Sequence, residues 1–293
     1  MMRIALVLTF LFLMPLTVRA FDTPSKEEVA ELIKKLKAGD AKAARALENI
    51  DPSAKDAVPL LIDVIKERID PNKPFTAQPV AAKALGRLGK AAVPALIEAL
   101  ESKDGKVQAY AAMALKQIGP DAKAAVPALI EVVKKYKDPA HIARLNSIAA
   151  LGKIGPGAKD AVPLLIDISK EKPPLSAARL AAVTALGQIG PEAKAAAPTL
   201  IDLLGEEETK AGPLRIEAAR SLGLIGSASG EEAASALVAL VENKKLGPAR
   251  IVAINALGQL GPTAKNAVTA LKKASEDKEL KAAADGAIKI IEK

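Results

Sequence analysis

The feature that most constrains this chain is an internal repeat. The phrase Ala-Leu-Gly-x-Ile-Gly-Pro recurs with small changes, and successive copies of its leucine stand a mean of 35 residues apart. These leucines are Leu47, Leu85, Leu115, Leu151, Leu186, Leu222 and Leu257. A unit of this length needs neighbours to cover its apolar side, so the repeat predicts a stack of similar units.

A second phrase, Ala-Val-Pro-x-Leu-Ile, follows each first phrase. Its proline is Pro59, Pro94, Pro127, Pro163 or Pro198, with Ser235 and Thr269 at the same place in later units. Both phrases have apolar residues at helical spacing. The Gly-Pro step ends the second helix of each pair, and the proline of the second phrase fits the first turn of the next helix.

The predicted fold class is therefore all-α, an α-solenoid of about eight helix pairs. The first opening helix is placed at residues 25–37, where Ser25 and Glu28 form a capping-box pattern. Ile288 takes the place of the leucine in the last copy.

Composition narrows the possible chemistry. Half of the residues are hydrophobic but only 2% are aromatic, and the sequence has no Cys and a single His, His141. A chain without Cys has no disulfide, thiolate zinc site or cysteine nucleophile, and one His does not make a multi-histidine metal centre. We expect no catalytic site, no metal and no cofactor, and we expect His141 to be a solvated surface residue.

Residues 1–20 have the pattern of a signal peptide. Arg3 precedes an apolar run at 4–14, and the segment ends with a signal-peptidase pattern at Ala20. The run is too short to span a bilayer. We expect cleavage after Ala20; an N-terminal anchor that is kept is the alternative.

This interpretation divides the chain into the signal peptide, a short tail at 21–24 and the solenoid at 25–293. The mature protein would be periplasmic or secreted, without a transmembrane segment. Its formal charge would fall from +8 to +6, because Arg3 and Arg19 leave with the signal. We assign the remaining positive charge to solubility or to an anionic envelope surface.

The two alternating phrases resemble the HEAT repeat, in the HEAT-like form named after the phycobilisome lyases. The resemblance covers about residues 25–293. It implies an α-solenoid with its opening helices on the convex side and its second helices on the concave side, which holds other macromolecules. Some HEAT-like proteins are di-iron hydroxylases that hold iron with His-Glu pairs, and this sequence has no His-Glu dipeptide.

The resemblance also implies a structural ladder of arginines early in the second helices, bonded between neighbouring units. The matching residues, seven before the leucine, are Arg144, Arg179, Arg215 and Arg250. Gln78 and Gln108 occupy this place in earlier units, so we expect the ladder to weaken toward the N-terminus.

A protein-binding strip is expected on the concave face, at the helix positions opposite the apolar stripe. Its residues are Arg45, Lys83, Arg87, Tyr110, Met113, Gln117, Asn146, Lys153, Gln188, Glu217, Arg220, Asn255 and Gln259, with Asn49, Thr184 and Leu224 at equivalent places. The strip is polar, and Tyr110 with Met113 is expected to form its exposed apolar cluster. Tyr and Arg are favoured anchors at protein interfaces.

Two charged columns are predicted on the units. Lysines stand four residues before the repeated proline position, at Lys55, Lys90, Lys123, Lys159, Lys194 and Lys265. Acidic residues stand four after it, at Asp63, Glu98, Glu131, Asp167 and Asp202. Because the columns largely cancel, we expect a mixed, solvated convex surface.

The sequence therefore predicts a non-catalytic exported scaffold that binds protein partners through its concave surface, as a monomer and without nucleic acid. One alternative is an enzyme or enzyme subunit of the HEAT-like lyase or hydroxylase type. Another is an envelope-associated binder of anionic polymer.

Overall fold

The computed structural model describes residues 24–68, 77–172, 176–205 and 212–293, and in these ranges the protein consists of sixteen α-helices joined by turns and short 3-10 segments, without a β-strand. The helices form eight pairs, and successive pairs pack on each other along the chain. The prediction of an all-α solenoid is confirmed. The predicted signal peptide at 1–20 and residues 21–23 of the tail lie outside the described residues.

The helices alternate between two roles. The first helices of the pairs are α1 (Lys26–Lys37), α3 (Val58–Lys66), α5 (Val93–Leu100), α7 (Val126–Lys135), α9 (Val162–Ser169), α11 (Ala197–Leu204), α13 (Gly230–Glu242) and α15 (Val268–Ala274). The second helices are α2 (Ala41–Glu48), α4 (Gln78–Arg87), α6 (Gly105–Ile118), α8 (Ile142–Ile154), α10 (Ala177–Ile189), α12 (Gly212–Ile225), α14 (Gly247–Leu260) and α16 (Lys281–Ile291).

Helix boundaries follow the local sequence. The Ser25 hydroxyl accepts a hydrogen bond from the Glu28 amide at 3.2 Å, and the Glu28 carboxylate accepts one from the Ser25 amide at 2.8 Å, which confirms the capping box. Gly155 and Gly190 follow α8 and α10 with φ of 71° and 74°, in the left-handed region that ends a helix. Proline occupies the first turn of α3, α5, α7, α9 and α11, as predicted.

The repeated leucines form the centre of the core. Leu85, Leu115 and Leu151 are fully buried, and each buried leucine contributes about 1.5–3 kcal/mol relative to an exposed one. Buried alanines line the contacts between successive second helices, so these helices lie close together. Second helices pack more extensively on one another than first helices do. The second helices therefore lie closer together along the stack than the first helices do.

One boundary between units departs from the pattern. The α13 helix lacks the proline and has 13 residues, whereas α9 and α11 have 8 each. Among the described residues, the stretch Gly212–Glu242, which joins α12 and α13, has the length and hydropathy to cross a membrane. Gly226 and Gly230 have φ of 68° and 84° and divide this stretch into two helices, both of which pack on α11 and α14. The stretch is therefore part of the stack.

Candidate functional site

The four ladder arginines lie inside the structure. Arg144 and Arg179 are 2% and 5% exposed, and Arg215 and Arg250 are half-buried. In three units the arginine Nε donates to a carbonyl at the C-terminal end of the first helix of its own pair. These hydrogen bonds join Arg179 to the Ser169 carbonyl, Arg215 to the Leu204 carbonyl at 2.9 Å, and Arg250 to the Val241 carbonyl at 2.8 Å. A cation at the C-terminal end of a helix also interacts favourably with the helix dipole.

The expectation that the ladder joins neighbouring units is therefore only partly correct. Arg144 forms an ion pair with Glu171 of the next unit, and Arg250 Nη1 lies 3.3 Å from Asp277 Oδ2 of the next unit. The bond shared by most ladder residues stays within the pair, because the side chain reaches the unpaired carbonyls at the end of the adjacent first helix.

The two glutamines continue the ladder. The amide nitrogen of Gln108 donates to the Leu100 carbonyl at 2.6 Å, and its oxygen accepts from the Tyr136 hydroxyl of the next unit at 2.6 Å. Gln78 donates to the Glu67 carbonyl at 3.3 Å. The predicted weakening toward the N-terminus is thus wrong at Gln108, which keeps both kinds of contact.

Five of the seven repeated leucines are followed by a glycine, and the next second helix packs closely over it. A Cβ at Gly152 would lie 2.9 Å from Ala185 Cα, and one at Gly223 would lie 2.9 Å from Ala256 Cα, below any ordinary contact distance. At three junctions a glutamine of the predicted strip covers this glycine. These pairs are Gln117 on Gly86, Gln188 on Gly152 and Gln259 on Gly223.

All thirteen residues of the predicted strip are exposed or half-buried, but several of them join neighbouring units. The contacts are Lys83 Nζ to Glu48 Oε1 at 2.8 Å, Arg87 Nε to the Ile50 carbonyl at 3.2 Å, and Asn146 Nδ2 to the Ala109 carbonyl at 3.0 Å. Within α12, Glu217 and Arg220 pair with each other at 3.3 Å. Arg45, Lys153 and Asn255 lie on the same set of helices. The strip is thus in large part a set of contacts between units.

The expected exposed cluster of Tyr110 and Met113 is wrong. Both side chains are half-buried and pack against the core, and burial raises the pKa of the Tyr110 hydroxyl. His141 is also placed differently from the expectation of a solvated residue. Its ring stacks on Tyr136 at a centroid distance of 3.6 Å, and Gly105 leaves room for both rings.

Leu224, which stands at a place equivalent to the strip, is 43% exposed, but other exposed aliphatic residues lie at positions outside the predicted strip. Directly after each ladder arginine stands an aliphatic residue, on the outer face of the second helix. This aliphatic row consists of Leu145, Leu180, Ile216 and Ile251. Leu180 and Ile251 are each 39% exposed, and Leu145 and Ile216 are half-buried. The signal was present in the sequence, because the row repeats in steps of 35, 36 and 35 residues.

The row borders a cavity of about 600 Å³ on the second-helix face. Its floor is mostly apolar and includes Leu145, Ala149, Leu180 and Ala181 of α8 and α10. We call this cavity the α8–α10 groove. Ile142, at the start of α8, is 54% exposed at its edge.

The charged columns lie where the sequence places them. The six lysines lie in turns between units and are exposed, and the five acidic residues are exposed on the first helices. Within the described ranges, no cluster of three or more His, Asp or Glu side chains is placed to hold a metal ion.

The family described as HEAT repeats matches residues 70–138, 93–177, 126–211 and 173–258, which together make up more than half of the chain. The chain belongs to the HEAT-repeat family. This confirms the resemblance seen in the sequence. No curated protein matches the chain in sequence.

The chain is also similar to several solved structures. The chain is similar to the complex of CpcE and CpcF of phycocyanin lyase from Nostoc sp. PCC7120, with 26% identity, coverage of 86% of this chain and 94% of that chain, and a TM-score of 0.45. It is similar to YibA of E. coli, with 20% identity, coverage of 89% and 92%, and a TM-score of 0.54.

It is also similar to the karyopherin Kap121p bound to Nup53p, with 14% identity and a TM-score of 0.61. This match covers 89% of the chain but 33% of the karyopherin, so the chain spans about a third of that protein's length. The similarity to YibA and Kap121p shows a shared fold.

Proposed function

We propose that this HEAT-repeat protein is a non-catalytic, exported scaffold that binds protein partners through its second-helix face. The observation that carries the proposal is the aliphatic row. A soluble protein rarely exposes aliphatic side chains in a regular line, and such patches mark interaction surfaces. The row crosses four successive second helices, which suits an extended contact with a macromolecule.

The absence of catalysis is part of the proposal. It is supported by the sequence, which has no Cys and one His, and by the packing of that His against Tyr136. The Kap121p structure, with which the chain shares a fold, is a complex with another protein, Nup53p. Export is proposed on the pattern of residues 1–20 alone.

Affinity capture with the mature protein from an envelope fraction, followed by binding measurements with the purified partner, tests the proposal. The variant Leu180→Asp/Ile251→Asp places two charges on the row and is expected to lose the partner. Its matched control is Ala124→Asp/Ala195→Asp, which adds the same charges at exposed sites in the turns.

Asp56 and Asp160 already occupy these turn positions in other units, so the control is expected to fold and bind normally. Equal binding of the partner by the wild type and the row variant would refute the assignment of this surface. Release of a product from substrate by the purified protein would refute the non-catalytic assignment.

A further inference from the structure

One junction between second helices differs from its neighbours in charge. In most units a glycine follows the repeated leucine, and the next unit places an uncharged side chain over it. Between α6 and α8 these two places are taken by Lys116 and Lys153. We call them the lysine pair. Two like charges at one junction are unfavourable without a counter-charge.

The lysine pair has no counter-charge in the described parts of the chain. Neither Lys116 nor Lys153 takes part in an ion pair, although Lys83, Arg144, Arg220 and Arg250 on the same set of helices all do. Both lysines line the α8–α10 groove, and no Asp or Glu lines it. The groove thus combines an apolar floor with an uncompensated positive end.

The distance between the apolar floor of the groove and the lysine pair sets the length of the ligand. Leu145 and Lys153 are eight residues apart on α8, which is about 12 Å at 1.5 Å per residue. An extended peptide covers this distance in roughly four residues, at about 3.3 Å per residue. A carboxylate three or four residues from an aliphatic side chain therefore fits both ends.

We propose that the α8–α10 groove binds an extended peptide segment of a partner protein, with aliphatic side chains on Leu145 and Leu180 and a carboxylate on the lysine pair. The inference deepens the proposed function and rests on it. The groove is open to solvent, which suits a chain that runs on beyond it. A small acyl anion would need a cavity that encloses most of its surface.

The test uses the mature protein and a fluorescein-labelled peptide, Gly-Leu-Ile-Ser-Gly-Asp-Glu-Gly, followed by fluorescence anisotropy. The variant Lys116→Gly/Lys153→Gln gives this junction the residues that three other junctions have, so it is expected to fold. We expect it to bind the peptide about five- to tenfold more weakly, as for the loss of two surface ion pairs. The wild-type protein should bind an analogue peptide, in which Asn and Gln replace Asp and Glu, with the same loss of affinity.

Two controls separate the groove from general charge. The variant Lys194→Gln/Lys265→Gln removes the same charge from exposed turns and should bind the peptide like the wild type. The variant Leu180→Ser should weaken binding of the acidic peptide and of its neutral analogue alike. Unchanged binding by the lysine-pair variant would overturn the proposal, and so would sodium laurate that binds in the groove while the peptide does not.

The two proposals fail in different ways. If the captured partner is lost from the aliphatic-row variant but kept by the lysine-pair variant, the scaffold function stands and the carboxylate site is wrong. If the row variant keeps the partner, the proposed binding surface itself is wrong.

Discussion

Replacing Gly187 by alanine tests the packing that holds the stack together. A Cβ at this position would lie 2.9 Å from both Cα and Cβ of Ser221 and 2.5 Å from its Oγ. Carbon atoms in ordinary contact stand about 3.5–4.0 Å apart, so α10 and α12 would have to separate by roughly 0.6 Å or more. The same shift would strain the hydrogen bond of 2.9 Å from Ser221 Oγ to the Val183 carbonyl.

The expected magnitude is a balance of two effects. Overpacking costs about 1–3 kcal/mol and the strained hydrogen bond up to about 1 kcal/mol, whereas alanine in a helix gains about 1 kcal/mol over glycine. We expect Gly187→Ala to lower the free energy of unfolding by about 2 kcal/mol. The measurement is urea unfolding followed by circular dichroism at the helix band.

The matched control is Gly286→Ala in α16. A Cβ there meets nothing within 4 Å, so only the helix preference acts. We expect this variant to be more stable than the wild type by about 0.5–1 kcal/mol. Equal stabilisation by Gly187→Ala would show that the second helices are not in close contact, and would refute the packing argument.

Two further predictions concern the ladder and a helix cap. Arg179→Ala should lower the free energy of unfolding by about 2–3 kcal/mol, because the Ser169 carbonyl loses a charged donor. Arg179→Gln should recover most of this stability, since Gln108 makes the equivalent hydrogen bond in its own unit. Thermal unfolding of both variants is the measurement. The amides of Ala43 and then Lys42 lower the pKa of Asp40 below 3.8, so its contribution to stability is present above that pH and is lost as the pH falls through the lowered pKa. Urea unfolding should therefore depend less on pH in Asp40→Asn, and an unchanged acid dependence would contradict this cause.

Much of the fold could be predicted because each boundary is encoded locally. Proline in a first turn and glycine after a second helix act through backbone geometry that is the same in any context. The buried leucines follow from helical period alone. The position of the ladder followed from the resemblance to the HEAT repeat, and the place seven residues before the leucine does lie on the buried side of the helix.

The candidate site was less predictable because exposure depends on the neighbouring unit. Helical period selects Asn146 and Gln188 as outward-facing, but the second helix of the preceding unit lies so close that both side chains make contacts between units. Tyr110 is withdrawn from solvent in the same way. Leu180 also stands on the outer face, but it lies six residues before the repeated leucine, outside the positions chosen for the strip.

The departures of this chain from its own repeat carry more functional information than the repeat does. Glycine after the leucine and glutamine over it recur because they allow close packing, so their purpose is structural. At Lys116 and Lys153 the chain gives up that pairing and accepts two adjacent cations beside an apolar groove. The α6 and α8 helices already pack closely, and glycine in a helix costs up to about 1 kcal/mol, so we expect the lysine-pair variant to unfold within about 1 kcal/mol of the wild type. A variant of this stability that binds the acidic peptide less would assign the lysines to binding, whereas a larger loss of stability would assign them to the architecture.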